Sequence, residues 1–335
     1  MSITAKDLAK KIGISQTAVS MALHNKPGVS TQTRQKVLNA AEKYGYDMSR
    51  IRGKHALEGT IYVILYKTTN AILSYSPIFD ELVEGARNIA SKYDIPVRIM
   101  PFWEKNDDLD HFLENLRVSD CIGVILVGTE ISFENCRKFT RLPFPVVLLD
   151  SFFDGIDCDC CLINNVSGAH QAVNYLIARR NCQPGYIRSA YYIPNFSERL
   201  VGFKKAVREN GMSFSRSIIH KISPSIEGSV TDMLELIDSG TQLADAYFCD
   251  NDIIAIGAIK AFKLRGIRVP EDIAVIGFDN IPETRIFDPA LTTMDVPRTY
   301  MAECATRQLI HRIRNPHQPP VKVEVPPVLI KRFSL

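Results

Sequence analysis

Apolar residues recur along this chain with two different periods, and the change between them falls near residue 60. Before it, Thr4 is followed three residues later by Asp7, with Leu8 and Ile12 one turn apart, which predicts a capped amphipathic helix. Gly13-Ile14-Ser15 interrupts that helix, and Ser15 is placed to cap a second over residues 16–23 that turns Val19, Ala22 and Leu23 to one side. Lys26-Pro27-Gly28 makes a loop. Ser30 or Thr31 then starts a third helix whose stripe is Val37, Leu38, Ala41 and Tyr44, and Gly45 ends it. Two short helices at a three-residue turn predict a helix-turn-helix, with the third closing a small core.

From Thr60 the period changes. Residues 61–65 form a short apolar run suited to a buried parallel strand, and 77–93 follow as a helix with Phe79, Leu82, Val83, Ala86, Ile89 and Ala90 inward. The alternation continues with strands at 96–100, 123–127 and 146–149 and a helix at 107–116. A second series follows Asp150, with helices at 166–180, 197–210, 230–237 and 252–265 between strands at 186–187, 218–222, 246–249 and 273–278. This order predicts an α/β body of two doubly wound lobes behind the three-helix head.

Charge singles out the head. Residues 1–55 carry ten Lys or Arg against three Asp or Glu, a net of +7, whereas the other 280 carry thirty against thirty-four, a net of −4. A local basic excess on a small helical unit points to phosphate neutralisation, and a charged structural cap is the bland alternative. With 46% hydrophobic and 23% charged residues, the chain has enough material for a head and two packed lobes. No stretch approaches the roughly eighteen apolar residues of a spanning helix, and the basic N-terminus lacks a signal-peptide core, so a cytoplasmic location with no membrane association is expected. The eight cysteines are scattered. Cys158-Asp159-Cys160-Cys161 has no partner motif at a zinc-like spacing, so no metal or other cofactor is expected.

Three stretches carry a resemblance. Ile3-Thr4-Ala5-Lys6-Asp7-Leu8-Ala9, Gly13 to Ser20 and Asn25-Lys26-Pro27-Gly28-Val29-Ser30, with Gly45-Tyr46 behind them, resemble the head of the LacI/GalR family of bacterial transcription regulators. The resemblance implies a transcriptional repressor, not an enzyme, with double-stranded palindromic operator DNA as partner and a homodimer as the acting form. It makes Gln16 and Thr17 base readers in the major groove, with Met21 a turn further on. Thr4, Ser15, Ser20, His24, Asn25, Ser30, Thr31 and Arg34 are then expected near phosphates. Residues 1–46 are the DNA-binding domain and 47–59 the hinge, where Arg50, Arg52 and Lys54 suit phosphate contacts. This hinge departs from the family pattern at Met48-Ser49, Arg52 and His55, and Gly53 weakens any helix there by roughly 1 kcal/mol relative to Ala.

The same resemblance implies that residues 60–335 form a periplasmic-binding-protein-like domain for effector binding and dimerisation. Its first lobe spans about 60–160 plus 290–320 and its second about 161–289 plus 321–335, with a small-molecule effector between them, first a carbohydrate and then a purine or phosphosugar. Ligands of open parallel sheets sit beyond the carboxyl ends of the strands. Asp150 ends the strand at 146–149, Asn251-Asp252 follow the one at 246–249, and Asp279-Asn280 follow 275–278. Arg199, on the helix at 197–210, brings donors to the same end. Carboxylates, an amide and a guanidinium suit hydroxyl recognition. Asp150, Asn251, Asp279 and Arg199 are therefore effector candidates, with Phe79 as an apolar wall. Against this stand plainer roles: helix caps for Asp150, Asp252 and Asp279, pairing of Arg199 with Glu198, and a core position for Phe79. Arg298 stands where some sugar-responsive relatives place an aromatic, and Tyr191 and Tyr192 either stack on a ligand or pack on the lobe. An enzyme is disfavoured because G-x-G-x-x-G, P-loop, H-E-x-x-H and G-x-S-x-G signatures are missing. A transport-type binding protein would not explain the basic head.

Overall fold

The computed structural model describes residues 3–23, 28–46, 58–68 and 76–335. The head is α1 (Ala5–Ile12), α2 (Gln16–Leu23) and α3 (Thr31–Lys43). Thr4 Oγ1 accepts from the Asp7 amide at 3.2 Å while the Asp7 carboxylate accepts from the Thr4 amide at 3.2 Å, a reciprocal cap that satisfies two otherwise orphaned donors. Gly13 ends α1 at φ 72°, a left-handed conformation that costs glycine nothing sterically. Ser15 Oγ accepts from the Ala18 amide at 3.0 Å, and Ser30 rather than Thr31 caps α3, accepting from the Thr33 amide at 3.2 Å. Leu8, Ala9, Val19, Ala22, Leu23, Val37, Ala40 and Ala41 close the core; of the stripe expected on α3, Leu38 is only half-buried and Tyr44 is exposed, and Ala40 is buried in their place.

The described residues divide into two compact units. One comprises 1–68, 82–161 and 299–323, and the other 69–81, 162–298 and 324–335. The first holds β1 (Thr60–Lys67), most of α4 (Ser76–Ala90), β2 (Val97–Trp103), α5 (Leu109–Val118), β3 (Cys121–Val127), α6 (Phe133–Phe139) and β4 (Val146–Leu149), and β5 (Asp159–Ile163) begins in it. Its strands lie in the order β11-β5-β4-β3-β1-β2, where β11 is Lys322–Val325. Every residue of β1 is buried, as a central parallel strand requires, and it pairs in register Ile61 with Val97 on one side and with Gly123 on the other.

The second unit contains α7 (Asn165–Arg180), β6 (Gly185–Ser189), α8 (Pro194–Glu209), β7 (Ile219–Ile222), α9 (Ile226–Asp238), β8 (Ala246–Cys249), α10 (Asp252–Leu264) and β9 (Ala274–Ile276). Its parallel sheet runs β7-β6-β8-β9. Close approach of α7 and α8 depends on Gly202, where an added methyl group would collide with the Val166 carbonyl oxygen.

Two crossings differ from expectation. Residues 291–296, expected to return to the first lobe, stay with the second: Thr292 bridges Ile276, Asp295 bridges Asp279, and β10 (Thr293–Asp295) pairs antiparallel with β12 (Val328–Ile330). The return begins instead with α12 (Arg298–Arg314), most of which lies in the first unit. Residues 321–325, expected in the second lobe, extend the first sheet, with the Cys160 amide donating to the Val321 carbonyl at 3.0 Å. Hydrogen bonding between segments far apart in sequence decides these memberships, and residue periodicity carries no information about it.

Candidate functional site

The head presents the start of α2 to solvent. Ser15, Gln16 and Thr17 are exposed, while Ser20 and Met21 one turn on are half-buried. No acidic side chain stands in the first turn of α2, so its free amides and positive dipole end remain open to an anion. Thr4, Ser30 and Thr31 are exposed as well. Arg34 is half-buried, and its Nη1 donates to the Val118 carbonyl of the first lobe at 3.5 Å. His24, Asn25, Arg50, Arg52 and Lys54, together with the linker from 47 to 57, lie outside the described residues.

In the second unit the carboxyl end of the sheet gathers Arg199, Asp250, Asp252 and Asp279. Arg199 is 2% exposed, and its guanidinium carbon lies 3.7 Å from the centroid of the Phe278 ring. Its Nε donates to Asn165 Oδ1 at 2.9 Å, its Nη1 to the Asp250 carbonyl, and its Nη2 approaches Asp279 Oδ1 at 3.4 Å. Glu198, the alternative partner, instead accepts from Asn165 Nδ2 at 2.8 Å. A guanidinium has five N–H groups; three are committed here, and stacking on Phe278 fixes its plane.

Asp279 sits at φ 116°, a conformation uncommon outside glycine. Its amide donates to Met294 at 2.8 Å and its carbonyl accepts from Arg298 Nη1 at 2.9 Å, which hold the backbone in this turn. The carboxylate lies between Arg199 and Arg298, each 3.4 Å from Oδ1, and stays partly exposed. Arg298, 8% exposed, also approaches Glu81 at 3.6 Å.

Asn251, rather than Asp252, caps α10, accepting from the Ile254 amide at 3.0 Å through Oδ1 and leaving its Nδ2 for a ligand. Asp252 is fully buried, accepting from Thr293 Oγ1 at 2.6 Å and the Ile281 amide at 3.0 Å. Burial, reinforced by the nearby charge of Asp279, pushes its carboxyl up to about 8. Asp250, missed by the sequence reading, is also buried; it accepts from Tyr186 Oη and from the Ser189 amide at 2.7 Å, and burial raises it to about 6. Its position immediately after an apolar run was the available signal. Asn165 had none, since its role appears only when residues 165 and 199 meet.

Asp150, in the first unit, ends β4 at φ 63° and accepts from Thr129 Oγ1 at 2.6 Å, without capping a helix. Phe79 is buried on α4, and Tyr191 and Tyr192 are exposed. Among the described residues no group of three or more His, Cys, Asp or Glu is arranged to hold a metal. No described helix is long and apolar enough to cross a membrane.

Known proteins share both parts of this architecture. The family of bacterial regulatory proteins of the lacI type matches residues 4–49, and the periplasmic binding protein-like domain matches 173–335. The HTH-type transcriptional repressor CytR of Escherichia coli (strain K12) is 30% identical over 314 residues, covering 94% of this chain and 91% of that protein. This chain belongs to the LacI family. Another LacI-type relative, the regulator GalS of Salmonella typhimurium, is 31% identical over 306 residues, covering 91% of this chain and 88% of its own. The repressor PurR of Mannheimia succiniciproducens is 29% identical over 338 residues, covering 99% and 98%. Among solved structures, a complex of the regulator CelR with cellobiose aligns over 99% of this chain and 100% of its own at TM-score 0.74 and 22% identity. The lac repressor dimer bound to operator and the anti-inducer ONPF aligns over 100% and 99% at TM-score 0.69 and 19% identity. The LacI-family chain described here is thus a DNA-binding transcriptional regulator with a helix-turn-helix head and a periplasmic-binding-protein-like body.

Proposed function

We propose that this protein is a homodimeric repressor whose affinity for a palindromic operator is set by a small carbohydrate. The observation that carries the effector half is the Arg199–Asp279 pair. A guanidinium held in a fixed plane stands beside a partly exposed carboxylate, a donor–acceptor combination suited to vicinal hydroxyls. Asn251 Nδ2 adds a donor in the same unit, and Asp150 and Phe79 are further candidates on sequence grounds. CelR and a LacI-family regulator of Enterococcus faecium have been solved with cellobiose and ribose, which supports a sugar as ligand class.

On the DNA side, Gln16 and Thr17 enter the major groove and read base edges, with Met21 a turn further on, while Thr4, Ser15, Ser20, Ser30, Thr31 and Arg34 contact the backbone. His24, Asn25, Arg50, Arg52 and Lys54 extend that footprint on sequence grounds. Two heads related by a twofold axis then match two half-sites, and the protein acts by binding in the cytoplasm, without catalysis. Effector and operator are linked thermodynamically, so a sugar that shifts DNA affinity has its own affinity shifted by the same factor.

The test is a thermal-shift screen of mono- and disaccharides and nucleosides against the full chain, followed by operator titration with each stabilising compound. A sugar that raises the midpoint and changes operator affinity supports the reading. Stabilisation by no sugar, or by one that leaves operator affinity unchanged, contradicts it.

A further inference from the structure

Head and first lobe meet directly through side chains of α3 and α5. Arg34, Gln35, Leu38 and Glu42 fall on one face of α3, while Val37, Ala40 and Ala41 of the same helix are buried in the head. The outward face meets the C-terminal half of α5. Glu42 Oε2 lies 3.0 Å from Arg117 Nη1, Gln35 Nε2 donates to the Glu114 carboxylate, and Arg34 Nη1 reaches the Val118 carbonyl at 3.5 Å. Arg117 Nε is also 3.8 Å from Glu114 Oε1. A cavity of about 180 Å³ lined by Leu38, Ala41, Glu42, Arg117, Arg141 and Pro143 lies at this contact, so polar pairs rather than dense apolar packing fix its register. Ser15, Gln16 and Thr17 remain exposed while these contacts are made.

We infer that the α3–α5 contact is a clamp that orients the head on the first lobe and carries the lobe's state to α2 by a route other than the covalent linker. This rests on the proposed function. The contact is polar and partly exposed, so it is weak enough to open and specific enough to hold one orientation. The linker sequence includes Gly53, which makes a second route valuable. Glu42, Glu114 and Arg117 are positioning residues, outside the set assigned to DNA.

The test uses the full-length protein and the palindrome it selects from a random duplex pool. Binding is measured to that palindrome, to versions with half-sites one base pair closer or farther apart, and to a single half-site. The ratio of affinities between spacings cancels any uniform gain from added positive charge. Glu42→Lys or Arg117→Glu should cut discrimination between spacings by about 2- to 5-fold, the scale of one partly exposed ion pair. The double variant Glu42→Lys/Arg117→Glu should regain most of it. Binding of the single half-site should keep its sequence preference in all three, showing that each head is folded. Unchanged spacing discrimination in both single variants, or a double variant no better than either, would overturn the clamp and leave the repressor reading intact. Selection of no duplex at all would overturn both.

Discussion

Replacing Arg199 with alanine separates the two halves of the proposed function. The substitution removes three contacts inside the second unit, those to Asn165 Oδ1, the Asp250 carbonyl and Asp279. The Asn165 and Asp250 acceptors are buried, and a buried acceptor left without a donor costs about 1–3 kcal/mol. Two of them, with the lost stacking on Phe278, give a destabilisation of about 3–6 kcal/mol, or a midpoint lower by about 6–24 °C at 2–4 °C per kcal/mol. A ligand that uses this guanidinium loses a charge-assisted donor worth about 1.5–3 kcal/mol, so its affinity should fall at least about 10-fold. Arg199→Lys keeps the charge but not the planar fork, and should lose effector affinity while recovering part of the stability. The assay is thermal unfolding with and without the stabilising sugar, beside operator binding at a temperature where the variant is folded. Operator affinity without effector should match the parent. An undiminished sugar response in Arg199→Ala would refute the assignment of this guanidinium to the effector site.

Three further outcomes follow from particular residues. Gln16→Ala or Thr17→Ala should lower preference for the selected palindrome over random duplex by about 1–3 kcal/mol per lost base contact. Equal losses on both DNAs in a competition gel shift would reassign these side chains to the backbone. Asp252 is raised to about 8 from an unfolded value near 3.8, so its contribution is fully present below pH 3.8 and is lost as pH rises through 8. Asp252→Asn should therefore flatten the decline in unfolding midpoint between pH 5 and 8, where Asp250, raised to about 6, adds a smaller slope. An unchanged slope in the asparagine variant would show that Asp252 is ionised in the folded chain. Gly202→Ala should destabilise by about 1–3 kcal/mol through its collision with the Val166 carbonyl, measured by denaturant midpoint, and no loss would mean that α7 and α8 can separate freely.

Local chemistry made the head legible. The Thr4–Asp7 cap, the Gly13 turn and the Ser15 cap are written within a few residues of one another, and all three form. The buried runs of β1, β4 and β8 were readable for the same reason. Several elements escaped, among them β5 and α6. The stretch forming β5 drew attention as a cysteine cluster, yet its thiols are side chains of a buried strand, and burial pushes Cys161 up to about 12. The single-domain helix α6 has seven residues, too few for a period to emerge. The site was legible as positions but not as roles. Strand-end polarity marked Asp150, Asn251 and Asp279, whereas the exchange of roles between Asn251 and Asp252 depends on residues 281 and 293, about thirty to forty positions away. Asn165 acts by holding Arg199 and nothing near it in sequence announces it, whereas Asp250 was marked only by its place after an apolar run.

The central claim is that the basic head reads a duplex under control of a sugar bound to the body. Operator titration of the full-length protein on its selected palindrome, with and without the sugar that most raises its unfolding midpoint, tests that claim most directly. The account predicts tight binding to the palindrome over random duplex and a shift of at least about 5-fold on adding the sugar. Equal affinity for palindrome and random DNA, or identical curves with and without the sugar, would contradict it.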